Sequence, residues 1–142
     1  MKKGKKMERY KVILVDDEAE VIDMIEKKIH WNDLGFEVAG SATNGVKALE
    51  LVEKLQPDVV LTDIKMPYMD GLELSRRLNR EYPNIYIMLC TGFDEFEYAK
   101  EAVHLEIKEY MLKPVNATEL SESLTNLKHT LDREREEKLN VK

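Results

Sequence analysis

Five short apolar runs punctuate the chain: Val12–Val15, Phe36–Ala39, Val59–Thr62, Tyr86–Cys90 and Tyr110–Leu112. They are rich in β-branched and aromatic residues, and most are continuous rather than alternating, the pattern of strands covered on both faces. Between them the apolar positions take helical spacing. Val21, Ile22, Ile25 and Ile29 make one stripe along a first helix from about Ala19 to Ile29. A second helix opens near Gly45 with Thr43 or Asn44 as cap, turns Ala48, Leu49, Val52 and Leu55 inward, and stops at Pro57. A third carries Leu72, Leu74 and Leu78 and ends before Pro83. Asp94-Glu95-Phe96-Glu97 reads as a capping box opening a fourth, and Asn116 with Glu119 opens a fifth in the same way.

Strands that alternate with helices require crossover connections and a parallel sheet with helices on both faces. Five such units predict an α/β fold of flavodoxin-like (βα)5 type, a three-layer sandwich around a parallel five-stranded sheet of order 2-1-3-4-5. In that order strands 1 and 3 are neighbours at the switch point, and ligands bind beyond their carboxyl ends. Chemistry is therefore expected just after Val15 and Leu61. In the fifth helix, Leu120, Leu124, Leu127 and Leu131 are spaced like a heptad seam, which fails in the charged stretch Asp132 to Lys138. A core-facing helix with a solvated extension accounts for this; a helical linker toward another domain is the sharper alternative. The expected organisation is a flexible basic leader (1–8), a folded domain (9–131) and a charged helical extension or linker (132–142).

Composition narrows the classes. At 142 residues, 43% apolar and 35% charged, the chain has the makings of one domain with a real core. A net charge of −6 disfavours direct binding to nucleic acid. The basic residues Lys2, Lys3, Lys5, Lys6, Arg9 and Lys11 crowd the start, as in a short tail or a non-native remnant, with Met7 an alternative start. The single cysteine, Cys90, sits in an apolar run and is expected to be an inert core residue. No signal-peptide core or membrane span is visible, so a cytoplasmic location is expected and the Asn116-Ala117-Thr118 sequon should stay unglycosylated.

Asp16 and Asp17 follow strand 1, and Asp63 follows strand 3. Converging at one sheet edge, three carboxylates would raise one another's pKa unless a cation lay between them. An all-oxygen acidic set suits Mg²⁺ better than zinc. Thr91 and Lys113 end strands 4 and 5 at the same edge. A hydroxyl and an ammonium beside such a cluster suit a phosphoryl group, and an aspartate can serve as nucleophile toward phosphorus.

These residues carry a resemblance to the receiver domain of two-component response regulators, from about Arg9 to Leu131. The matching motifs are Ile13-Leu14-Val15-Asp16-Asp17-Glu18, Pro57-Asp58-Val59-Val60-Leu61-Thr62-Asp63, Met66-Pro67 with Met69-Asp70-Gly71, and Tyr110-Met111-Leu112-Lys113-Pro114. The resemblance implies Asp63 as phosphoacceptor for a sensor histidine kinase. It implies Mg²⁺ held by Asp17, Asp63 and the Lys65 backbone carbonyl, with Asp16 acting through water. Thr91 and Lys113 would take phosphate oxygens, and Lys113-Pro114 would be a cis bond. Thr91 and Tyr110 would switch the surface of the fourth helix, fifth strand and fifth helix, where a homodimer can form. Lys65 and Phe93, two residues beyond the phosphoacceptor and the threonine, would tune dephosphorylation, with Phe93 hindering the attacking water.

Trp31, Leu34-Gly35-Phe36 and Phe93-Asp94-Glu95-Phe96-Glu97-Tyr98-Ala99-Lys100 further resemble receivers that precede an AraC-type helix-turn-helix output domain. DNA would be met only through such a domain in a longer parent protein, and no membrane partner is implied. Related receivers often place glycine where Glu106 stands; if that position needs positive φ, glutamate costs roughly 1 kcal/mol there. Two other readings compete. A phosphohydrolase would favour Asp-x-Asp after strand 1, whereas here the pair is adjacent. A receiver-shaped module acting without phosphorylation would normally lack one of Asp17, Asp63, Thr91 or Lys113, and all are present. The expected protein is a phosphoacceptor that promotes its own phosphorylation and slow dephosphorylation, not a turnover enzyme.

Overall fold

The computed structural model describes residues 8–100 and 104–140, without the side chains of Phe93, Phe96, Tyr98 and Asn140. The expected leader, apart from Glu8, lies outside the described residues, as does the Phe93 side chain assigned to dephosphorylation. In chain order the elements are β1 (Tyr10–Val15), α1 (Ala19–Lys28), a short α2 (Trp31–Leu34), β2 (Phe36–Ala42), α3 (Gly45–Leu55), β3 (Val59–Asp63), α4 (Gly71–Glu81), β4 (Tyr86–Thr91), a 3-10 turn (Phe93–Glu95), α5 (Phe96–Lys100), β5 (Glu109–Leu112) and α6 (Ala117–Asn140).

The strands form one parallel sheet of order β2-β1-β3-β4-β5, as the alternation of elements predicts. Successive strand residues face opposite sides. Val12 and Leu14 therefore pack with Ile22, Ile25, Leu120, Leu124 and Leu127 under α1 and α6, while Ile13 and Val15 pack with Ala48, Val52, Leu74 and Leu78 under α3 and α4. The leucine seam of α6 is consumed by this core: Leu120, Leu124, Leu127 and Leu131 are all buried.

Capping follows the side-chain chemistry. Asn44 Oδ1 accepts from the Lys47 amide and Asn116 Oδ1 from the Glu119 amide, both at 2.9 Å, satisfying donors that a helix start leaves open. The helix expected to open at Asp94 is preceded by a 3-10 turn closed onto Gly92. The Glu95 carboxylate accepts from the Gly92 amide at 2.9 Å, while the Glu95 amide donates to the Gly92 carbonyl at 3.0 Å. This turn brings Glu95 back to the end of β4, and α5 starts directly after it at Phe96.

Three further departures have local causes. The α2 turn closes through Gly35 at φ 93°, and its Trp31 is buried against the α1–α6 core. The positive φ considered at Glu106 is not found; among described residues with side chains only Gln56 and Tyr68 have one. The Glu106 backbone is held by Asn79 instead, whose side chain accepts from its amide at 2.7 Å and donates to its carbonyl at 3.2 Å.

Finally, the charged stretch after Leu131 does not leave the sheet at once. The Tyr10 hydroxyl donates to Asp132 at 2.6 Å, the Tyr86 hydroxyl donates to Glu134, and the Arg135 guanidinium lies 4.5 Å from the Tyr10 ring centre. Tyr10 and Tyr86 begin β1 and β4, so these contacts fasten α6 across the lower edge of the sheet, where the strands start.

Candidate functional site

At the upper edge, where the strands end, the sequence-predicted residues come together. Register puts β1 beside β3 with Val15 opposite Thr62, so the residues that follow, Asp16 and Asp63, emerge side by side. One carboxylate oxygen from each of Asp16, Asp17 and Asp63 lies within 4.8 Å of the others. Asp16 and Asp63 are 5% and 4% exposed, while Asp17 faces solvent. Lys113 Nζ reaches in from the end of β5, 2.8 Å from Asp63 Oδ1 and 3.8 Å from Asp16 Oδ2. Its backbone amide donates to the Thr91 carbonyl at 2.8 Å, which ties the ends of β4 and β5 together. The Lys113-Pro114 bond is cis.

Backbone donors orient the two inner carboxylates. Asp63 Oδ1 accepts from the Ile64 amide and Asp16 Oδ1 from the Glu18 amide, each at 2.8 Å. Thr91 is fully buried, and its hydroxyl has no hydrogen-bond partner among the described residues. Leaving a buried hydroxyl unpaired is costly, which makes Thr91 a candidate donor at this edge.

The electrostatics match the crowding. Burial, then the neighbouring Asp63 and Asp17 charges, push Asp16 up to about 6, against the Glu18 amide and Lys113. Burial likewise holds the Asp63 carboxyl above its ordinary range, opposed by Lys113 and the Ile64 amide. Burial works against the Lys113 charge, but the hydrogen bond and charge of Asp63, with Asp16, outweigh it and keep the ammonium protonated. A site with more buried negative charge than one lysine balances fits a divalent cation. Its donors are all oxygen, the set favoured by Mg²⁺.

The remaining predicted residues lie around this centre. Lys65 exposes its side chain in the loop after β3, and Tyr110 is half-buried against Ile64, Leu72, Leu89 and Ala99. Cys90 is buried, and burial pushes its thiol up to about 12, as befits an inert core residue.

One residue whose role the sequence reading missed is Gly71. A Cβ there would stand 2.1 Å from the Asp63 carbonyl oxygen, and the Gly71 amide donates to the Ile64 carbonyl at 2.7 Å. The α4 start is thus pressed against the backbone of Asp63. The available signal was a glycine placed directly after a capping aspartate, Asp70, whose side chain accepts from the Glu73 amide.

Residues 12–125 match the response regulator receiver domain family. The chain is 42% identical over 125 residues to the transcriptional regulatory protein YesN of Bacillus subtilis, covering 88% of this chain and 34% of YesN. It is 34% identical over 122 residues to the transcriptional regulatory protein HptR of Staphylococcus aureus, covering 86% of this chain and 48% of HptR. It thus spans between a third and a half of these relatives. Among solved structures, the receiver domain of AraT, a response regulator from Geobacillus stearothermophilus, superposes with a TM-score of 0.85 at 39% identity, covering 89% of this chain and 98% of that one. A two-component transcriptional regulator AraC from Clostridium phytofermentans gives 0.81 at 31% identity, covering 89% and 98%. No helix among the described residues is long and apolar enough to cross a membrane. On the match across most of its length, the chain belongs to the response regulator receiver domain family.

Proposed function

We propose that this receiver takes a phosphoryl group on Asp63 from a sensor histidine kinase, in a Mg²⁺-dependent reaction in the cytoplasm. The observation that carries the reading is a juxtaposition. Asp63 lies within 4.8 Å of two further carboxylates and 2.8 Å from Lys113, and the adjacent strand ends at Thr91, whose buried hydroxyl lacks a partner among the described residues. Asp16, Asp17, Asp63 and the Lys65 carbonyl would hold the ion, which supplies positive charge to offset the crowded carboxylates and the incoming phosphoryl oxygens. An Asp63 oxygen attacks phosphorus as the donor's nitrogen–phosphorus bond breaks. Lys113 balances charge on one phosphoryl oxygen and Thr91 donates to another. The protein contributes position and charge, the main terms in phosphoryl transfer.

Phosphorylation adds about −1.5 to −2 charges and three acceptors at Asp63. Thr91 moves toward them, Tyr110 turns into the space released, and the surface of α5, β5 and α6 changes shape. That surface then controls an output domain or a homodimer; in the longer relatives' frame, the output is transcriptional. The chain behaves as a phosphoacceptor with slow self-dephosphorylation rather than as a turnover enzyme, and Lys65 and Phe93 set the lifetime. Intact mass after incubation with acetyl phosphate and Mg²⁺ tests this: one phosphoryl group is added, and none appears without Mg²⁺ or in Asp63→Asn. An adduct that persists in Asp63→Asn would refute the assignment.

A further inference from the structure

The loop between β3 and α4 holds a tyrosine that the chemistry above does not use. Met66 and Met69 are both buried and anchor the loop on either side. Gly45 makes room for the second anchor, since a Cβ there would come within 2.8 Å of the Met69 carbonyl oxygen. Between the anchors the Met69 amide donates to the Pro67 carbonyl at 2.8 Å, a three-residue γ-turn with Tyr68 at its centre. Tyr68 has φ 71°, the left-handed region, where glycine is cheap and a bulky side chain is strained. Yet Tyr68 is 93% exposed, more than any other large apolar residue among those described. Its ring gains almost no burial among the described residues in return for this cost. The buried anchors account for the turn but not for an exposed tyrosine at its centre where glycine would cost less, and this points to a role outside the fold.

Position says which function. The loop closes tightly, with the Gly71 amide donating to the Ile64 carbonyl. Tyr68 is three residues from Gly71, so it stands within about 11 Å of the glycine packed under Asp63. Its exposed neighbours, Lys65 and Pro67, belong to the same rim. A small phosphodonor can reach Asp63 without touching this rim. A protein that presents a phosphohistidine must cover it. An exposed aromatic is the residue type that most often anchors such contacts.

We propose that Tyr68 is a specificity-determining contact for the protein phosphodonor, the phosphohistidine-bearing domain of a sensor kinase; this rests on the phosphoacceptor reading of Asp63. The strained turn holds the ring outward, ready for the partner, and the ring adds affinity for the donor protein without entering the chemistry at Asp63.

The test compares two donors on the full chain with Mg²⁺. One is acetyl phosphate. The other is the autophosphorylated cytoplasmic fragment of whichever sensor kinase transfers fastest to the native chain in a purified panel. For Tyr68→Gly, labelling by acetyl phosphate stays within about twofold of native, and the thermal midpoint is equal or higher because the strain is released. Transfer from the kinase falls by about tenfold at limiting concentration, through KM rather than the maximal rate, as expected when one anchoring contact is lost. Tyr68→Phe keeps most of the native KM. Kinase transfer to Tyr68→Gly within about twofold of native, or an equal loss with both donors, would overturn the proposal. So would a native chain that acetyl phosphate labels but no kinase of the panel does. Failure of acetyl phosphate to label the native chain would sink the phosphoacceptor reading, and this one with it.

Discussion

The two edges of the sheet use similar residues to opposite effect. At the lower edge, acidic side chains of α6 meet the hydroxyls that begin β1 and β4, Asp132 with Tyr10 and Glu134 with Tyr86. Although burial opposes it, hydrogen bonds from Lys128 and Tyr10 hold the Asp132 carboxyl below its ordinary range. At the upper edge, Asp16 and Asp63 are buried together, Asp16 is pushed up to about 6, and a buried threonine hydroxyl stays unpaired. The two tyrosine–carboxylate pairs of the lower edge are satisfied within the chain, although the buried Trp31 Nε1 of α2 has no hydrogen-bond partner among the described residues. At the upper edge the carboxylates crowd one another and the threonine donor is left open, which is what the proposed ion and phosphoryl group would complete.

The sharpest way to stress this contrast is Gly71→Ala. The new methyl would collide with the Asp63 backbone, and overpacking against an immovable carbonyl is expected to cost about 3 kcal/mol. The urea midpoint should fall accordingly; an unchanged midpoint would mean that α4 does not press on the site.

A second measurement separates the edges by sign. With divalent ions chelated, Asp16 has a folded pKa of about 6, above its ordinary 3.8. The folded state then holds its proton more tightly than the unfolded state does. Stability is greatest below the ordinary value and declines as pH rises from about 4 to 6, by about 2 kcal/mol. Asp16→Asn should flatten that decline. Asp132 behaves oppositely: its depressed pKa contributes stability that is present above the ordinary value and lost as pH falls through the folded one. Chemical denaturation across this range reads both, and a stability that rises between pH 4 and 6 in a manner dependent on Asp16 would contradict the crowding at the upper edge.

The smallest expected effect is at the lower edge. Tyr86→Phe removes an exposed hydrogen bond and Tyr10→Phe a part-buried one, and each should lower stability by about 1 kcal/mol or less. Hydrogen exchange at the amides just after Leu131 should quicken in these variants while those of Val12–Val15 hold; equal exchange in variant and native chains would mean that the tyrosines do not fasten α6.

How far these features could be read from the chain follows from the range of the interactions. The strands were legible because Val12–Val15, Val59–Thr62 and Tyr86–Cys90 are continuous apolar runs; their alternation with helices implied a parallel sheet, and the flavodoxin-like size of five such units implied its order. The meeting of Asp16, Asp17, Asp63, Thr91 and Lys113 followed in turn, because a parallel sheet puts all strand ends at one edge. The lower-edge contacts were not legible. A run such as Asp132 to Lys138 reads as a solvated face, and its partners lie 122 and 48 residues away in sequence. The turn closed onto Gly92 and the Asn79 bridge to Glu106 were hidden because both depend on where a loop backbone turns. The pressure of Gly71 on Asp63 needed coordinates, although the motif containing it was plain.

The most direct test of the account is to place the phosphoryl group chemically. After incubation with acetyl phosphate and Mg²⁺, borohydride reduction converts an aspartyl phosphate to homoserine, and peptide mass spectrometry locates it. Homoserine is expected at position 63, dependent on Mg²⁺; homoserine at position 16 or 17, or a modification that survives at another residue when Asp63 is replaced by Asn, would contradict phosphorylation at Asp63.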